Sequence, residues 1–338
     1  MQNSKCKMKK VRNNALTPGT WHLTPFFLSV CIFVHPWFLS PASAQELVAT
    51  LAGGRVYVYV ADGGIVVGAL AGPVEAKSVA PVMVPLSSRR VAVLFGAVEW
   101  TIPGAAKPEL LLAAEIPKLL RELAGPKRLA QEAAGDLEEM GTALLDPLRG
   151  VVSQIHRKLE LGPDEPVLEI VLVGYTEGYG PEVWSLRYRV AQDHLRDGFW
   201  RTRILRPMYT QHYPPEKDLP RTIIEVRYPE SDAAPTLKNL LARGDPRLAA
   251  LRTPEAPYAR AVSALERGES HKAPPNEAAQ FLRTALTTLA PAEVAPVLGV
   301  ISEQRGLSWI LAPPESALQK AEEEKREPGA PTLRKKPN

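Results

Sequence analysis

The sequence predicts an α+β domain built on antiparallel strands. Val56-Tyr-Val-Tyr-Val60 is β-branched or aromatic throughout, Asp62-Gly63-Gly64 is turn chemistry that accepts positive φ, and Ile65 to Leu70 is a second apolar run, so the segment reads as a hairpin. Strand patterns return at Val82 to Trp100, at Pro166 to Val190 and at Val297 to Leu311. Between them lie helical stripes, so the order is strands, two helices, strands, an irregular stretch, helices, strands.

The amino-terminal stretch has a different character. Lys5, Lys7, Lys9, Lys10 and Arg12 precede the apolar run from Phe26 to Val34, which continues to Leu39, and Pro41-Ala-Ser-Ala44 follows. A basic region, an apolar core and an A-x-A site in that order describe a secretory signal peptide, residues 1–44, cut after Ala44. The run is short for a transmembrane span; an uncleaved anchor is the alternative, because His35 and Pro36 blur its end.

Removing the leader changes what the composition means. The net charge of +4 includes the five leader cations, so the remaining chain is near −1. That takes away the clustered positive surface on which nucleic-acid affinity rests, and nucleic acid is not an expected partner. Cys6 and Cys31 also leave with the leader, so the exported chain has no disulfide and no thiolate ligand or nucleophile. No stable membrane span is expected afterwards, and the destination is the periplasm or the extracellular space.

Pro108 to Gly125 reads as a helix with a proline near its start and a glycine stop. Leu137, Met140, Leu144, Leu148, Val151 or Val152, Ile155 and Leu159 recur at spacings of three and four, predicting a core-facing helix that ends at Gly162-Pro163. Val167 to Tyr175 is apolar enough for a strand buried on both faces, and Glu182 to Val190 alternates as its half-buried partner. Arg201 to Arg206 and Arg221 to Tyr228 read as two strands of a projecting hairpin around Tyr213-Pro-Pro215. Two short helices over 236–252 and 258–266 follow, then a longer helix with Asn276 as N-cap, and a closing hairpin around Gln304-Arg-Gly306. The charged tail, 313–338, has too few apolar residues to fold and is expected to be disordered.

The first hairpin with its Asp62-Gly63-Gly64 turn, Val91-Ala-Val-Leu-Phe-Gly-Ala-Val-Glu-Trp100, the helix pair, and Val171-Leu-Val-Gly-Tyr175 before Gly180-Pro-Glu-Val-Trp184 carry a resemblance. Together with the third helix and the closing Val300-Ile301 strand, they resemble a proteasome-type subunit of the N-terminal-nucleophile hydrolase superfamily. The similarity spans residues 54–311 and is interrupted over 191–257. It implies a four-layer αββα sandwich, two antiparallel sheets flanked by helices, over residues 45–312, and ring or half-ring assembly of the chain with itself.

In that family a processed N-terminal threonine attacks a carbonyl with its own α-amine as base, an amine whose reference pKa lies near neutrality. Aligned on Asp62-Gly63, the nucleophile position falls at Gly53, which has no attacking group. Leu70-Ala71-Gly72 stands where the supporting acid belongs, and Ala80 where the lysine belongs. A shifted register offers Thr50 as nucleophile with Glu75 and Lys77 as acid and base partners, which requires a second cut after Ala49. The competing reading leaves Thr50 as a residue leading into the first strand and Lys77 as a solvated loop lysine.

Other chemistry is thinly represented. His156, His194, His212 and His271 are scattered without metal-ligand spacing, and no nucleophile elbow, phosphate loop or dinucleotide fingerprint stands in the chain, so neither a metal nor a cofactor is expected. Arg187, Arg189, Arg196, Arg201, Arg203 and Arg206 gather around Trp184, Trp200 and Tyr209. An anionic partner could meet them, but a solvated strand face balanced by Glu182, Asp193 and Asp197 is the favoured reading. The sequence therefore supports an exported, non-catalytic protein that binds a protein or peptide or assembles with itself. A Thr50-dependent amide hydrolase and a binding domain of another α+β fold are the alternatives.

Overall fold

The computed structural model describes residues 48–71, 82–101, 116, 120, 133–153, 155–156, 158–159, 166–176, 180–215, 222–228, 235–290 and 295–313. The leader 1–44, Glu75, Lys77 and the tail from 314 lie outside the described residues, as does most of the helix expected over 108–125. Of that helix Ile116 and Leu120 are described, both helical and fully buried.

The fold is mixed α+β with antiparallel sheets. Strands β1 (Val48–Ala52), β2 (Gly54–Ala61), β3 (Gly64–Ala71), β4 (Val82–Ser87) and β5 (Arg90–Thr101) open it. Helices α1 (Ala133–Ala143) and α2 (Leu145–Val152) follow, then β6 (Leu168–Thr176), β7 (Gly180–Tyr188), β8 (Val190–His194), β9 (Trp200–Ile204), β10 (Met208–Tyr213) and β11 (Ile223–Tyr228). Helix α3 (Leu237–Ala242), a 3-10 helix (Pro246–Arg252), α4 (Ala259–Arg267) and α5 (Pro275–Leu289) lead to β12 (Val297–Ser302) and β13 (Gly306–Leu311).

The first hairpin forms as its residues dictate. Gly63 takes φ 73° in the two-residue turn, and Val56, Val58 and Val60 pair with Ala69, Val67 and Ile65. The hairpin is central in a five-stranded sheet of order β11-β2-β3-β12-β13. A six-stranded sheet runs β1-β5-β6-β7-β10, with β4 and β1 end to end along one edge of β5: β4 pairs with Arg90 to Leu94 and β1 with Gly96 to Thr101. Pro85 sits in β4, at the edge where its missing N–H costs no ladder bond.

Period-two alternation sorts the side chains into three cores. Val56, Val58, Val60, Ile65 and Val67 pack with Val91, Val93, Phe95, Val171 and Val173 between the two sheets. On the opposite face of β2, Tyr57, Tyr59 and Ala61 join Leu237, Leu241, Val262, Phe281 and Leu286 from the helices. Ala92, Leu94, Leu168, Ile170 and Leu172 on the far face of the first sheet meet Ile116, Leu120, Met140, Leu144 and Leu148. Each fully buried side chain of this size contributes about 2 kcal/mol through the water it sheds.

The structure corrects several expectations. The helical stripe from Leu137 breaks at Leu144 and ends at Val152; Ile155 is buried but no longer helical. Pro147 lies in the first turn of α2, where no intrahelical partner is needed for its nitrogen. Asn276 is not an N-cap: α5 begins at Pro275, whose fixed φ suits a first helical position, and makes no side-chain cap bond. The strands either side of Tyr213-Pro-Pro215 do not form a hairpin together. The first foreseen strand, Arg201 to Arg206, is β9 and pairs with β8; β10 pairs with β7 in the six-stranded sheet and β11 with β2 in the five-stranded one.

Candidate functional site

A ribbon from Val190 to Tyr209 leaves the six-stranded sheet and returns to it. β7 passes through Arg189 into β8, the chain turns at 195–199, and β9 returns into β10, which pairs again with β7. Where the ladder is interrupted, the Leu205 N–H donates to the Arg189 carbonyl across 2.8 Å. Gln192 and Thr202 fix the ribbon to the segment after α2: the Leu159 N–H donates to Gln192 Oε1 at 2.8 Å, and Thr202 Oγ1 donates to the Ile155 carbonyl at 2.8 Å. The Trp200 N–H donates to the His156 carbonyl at 2.9 Å, and the His194 ring packs on Trp200 at 4.9 Å. Leu159 was foreseen as a helix face and instead receives the ribbon.

The ribbon shows solvent a set of large apolar groups. Phe199 is 56% exposed, Met208 45%, Tyr209 39% and Leu195 36%. These are four of the five large exposed hydrophobics among the described residues; Leu195 and Phe199 flank the turn, while Met208 and Tyr209, successive in β10, point to opposite faces of the strand. The sequence carried little signal for this set, since exposure at strand positions depends on which neighbours the sheet supplies.

Three of the six arginines, Arg187, Arg201 and Arg203, are held in ion pairs among the described residues. Asp193 pairs with Arg201 at 2.9 Å and Arg203 at 3.3 Å, and the hydrogen bond from Arg201 holds its carboxyl below the usual range. Of the other expected acids, Glu182 accepts from Thr176 Oγ1 at 2.7 Å, and Asp197 accepts from the Phe199 N–H at 3.2 Å. Arg187 is taken by a residue the sequence reading did not single out. Glu169, 1% exposed, faces it from β6 and accepts from its Nε at 2.9 Å.

A second polar contact lies beside this pair. Ser185 Oγ and His212 Nε2 share a hydrogen bond of 2.7 Å, and His212 stands at the bulge where the β10 register shifts between Gln211 and Tyr213. A serine and a histidine at this distance have the geometry of a nucleophile and its base. Ser185 is 0% exposed, however, and a reacting carbonyl has no approach to its oxygen, so the bond fixes the imidazole instead.

Of the foreseen catalytic residues, Thr50 lies in the middle of β1 opposite Glu99, while Glu75 and Lys77 are outside the described residues. Gly53 is buried between β1 and β2. The four histidines are not gathered, and no group of three metal-ligating side chains occurs among the described residues. No helix among them is long and apolar enough to cross a membrane. Compared with known proteins, the chain matches no family model and no curated protein.

Proposed function

We propose that this chain is an exported binding or assembly protein, a proteasome-subunit-like αββα sandwich without a working N-terminal nucleophile. The three cores support the four-layer arrangement, because helices cover the far face of each sheet while the near faces pack on one another. The order of the elements, with β8 to β11 set apart as an insertion, is the order the resemblance was read on.

One observation carries the non-catalytic reading. Gly53, at the position aligned with the nucleophile, has no attacking group and is buried between β1 and β2. The ribbon from Val190 to Tyr209 is then the binding surface, for a protein or peptide or for a second copy of the chain. Export rests on the basic leader, the apolar run and the site at Ala44.

Intact-mass analysis of the protein recovered from its native compartment tests this reading. A mature chain starting at Gln45 is expected. A chain starting at Thr50, together with peptide hydrolysis abolished by Thr50→Ala in a folded protein, would overturn it and make Glu75 and Lys77 the next residues to change.

A further inference from the structure

The ribbon is basic along its whole length. Between Val190 and Arg206 the exposed arginines Arg196, Arg201, Arg203 and Arg206 stand against only two acids, Asp193 and Asp197, a surplus of two positive charges. With the leader set apart, the rest of the chain is close to neutral, so this surplus is local.

Both aspartates are already engaged. Asp193 is shared by Arg201 and Arg203, and Asp197 accepts from the Phe199 N–H. Neither Arg196 nor Arg206 has an ion-pair partner among the described residues. A cationic partner would find no unengaged acid here, and a second ribbon laid on the first would set arginine against arginine.

The apolar part of the surface sits at the turn. Leu195, 36% exposed, and Phe199, 56% exposed, flank Arg196-Asp197-Gly198. The turn is closed by the Leu195 N–H donating to the Phe199 carbonyl at 2.8 Å and the Gly198 N–H donating to the Leu195 carbonyl at 3.1 Å, with Gly198 at φ 84°. Behind it, the bonds from Trp200 and Thr202 tie β9 to His156 and Ile155. Aromatic residues and arginine are enriched where proteins meet, and a turn already held in place loses little freedom on binding. The charged pair Arg196 and Asp197 at the apex opposes insertion into lipid, because hydrocarbon would strand both charges.

We infer that the ribbon takes an acidic protein segment carrying a large apolar side chain. Its carboxylates meet Arg196 and the pair Arg201 and Arg203, and its apolar side chain meets Leu195 and Phe199. This inference rests on the ribbon being the binding surface and adds the chemistry of what it binds.

The probes are two capped hexapeptides, Leu-Phe between two pairs of glutamates and Leu-Phe between two pairs of lysines. They are titrated into the purified protein at low salt and followed through the amide signals of His194 to Arg203. The glutamate peptide is expected to shift these signals saturably and to bind at least about tenfold more tightly than the lysine peptide, since every charge contact reverses sign. Added salt should weaken it by screening. The double variant Arg196→Gln with Arg203→Gln removes the surplus while leaving Asp193 its Arg201 partner, and should bind the two peptides alike. Phe199→Ser should weaken the glutamate peptide about tenfold, the apolar contact being lost. All three positions are exposed, so unchanged signals from the sheets verify that the variants fold.

No saturable shift, equal binding of the two peptides by the unaltered protein, undiminished preference in the double variant, or ribbon signals that move only with phosphatidylglycerol vesicles would each overturn the inference. If a copurifying partner is lost in Phe199→Ser while the glutamate peptide fails to bind, the ribbon stands as the surface and the acidic segment falls. A partner retained in Phe199→Ser would remove the ribbon and the inference with it.

Discussion

Glu169 and Arg187 stand directly opposite one another on β6 and β7, joined at 2.9 Å, on a sheet face that elsewhere buries Val171, Val173 and Val183. The carboxylate is 1% exposed while the guanidinium keeps 22% of its surface, so the glutamate is the dependent partner. Removing Arg187 leaves a buried anion without its cation, and a broken buried pair costs roughly 3 to 5 kcal/mol. Arg187→Met should therefore destabilise strongly in urea denaturation, whereas the double replacement Glu169→Leu with Arg187→Met should recover most of the loss. A single variant within 1 kcal/mol of wild type would show that the pair contributes nothing.

The start of β2 depends on a glycine for a steric reason. At Gly54, φ 152°, an added Cβ would lie 2.0 Å from the Leu70 carbonyl oxygen, and a backbone atom inside a ladder has little freedom to retreat. Gly54→Ala should cost about 3 kcal/mol or more, at the upper end of overpacking penalties. By contrast Gly63→Ala meets no neighbouring atom and loses only the ease of a positive φ, about 1 kcal/mol. Thermal melts of the two variants check the ranking, and an equal effect would contradict it.

Glu225 gives a pH signature. Burial raises its carboxyl above the reference 4.5, outweighing the Leu237 N–H and the Arg55 cation that favour the ionised form. As pH rises past 4.5 the unfolded chain releases this proton first, so the folded state holds more protons and stability falls across the window up to the raised value. Glu225→Gln lacks this term. As pH rises above 4.5 its urea midpoint should change more favourably than that of wild type, and identical pH dependence would refute the assignment.

The ribbon prediction separates binding from folding. Phe199 and Met208 are exposed, so Phe199→Ser and Met208→Ser should alter stability by less than about 0.5 kcal/mol. The double variant should nevertheless fail to retain a partner copurifying with wild type, or, if the partner is a second copy, should sediment as a smaller species. Unchanged association would remove the ribbon from consideration.

Local chemistry made much of the fold legible. Asp62-Gly63 specified a two-residue turn, and the alternation of valine and tyrosine on β2 fixed which side chains enter the core between the sheets and which enter the core against the helices. The closing hairpin ending at Gly306, φ 75°, was equally readable. In each case the partners lie a few residues apart, so turn geometry and side-chain period determine the pairing.

The residues around the ribbon were not readable in this way. Arg201 to Arg206 and Arg221 to Tyr228 both look like strands, but the first, β9, pairs with β8, and the second, β11, with β2 some 170 residues earlier. Glu169 sits in an apolar run with nothing local to mark its partner, and the Ser185 to His212 contact depends on a bulge. Sequence alone determined most of the described strands and the tight turns, because those follow from neighbouring residues. Tertiary structure decided which edges the strands join and which charges are paired, because these depend on contacts between residues far apart in the chain.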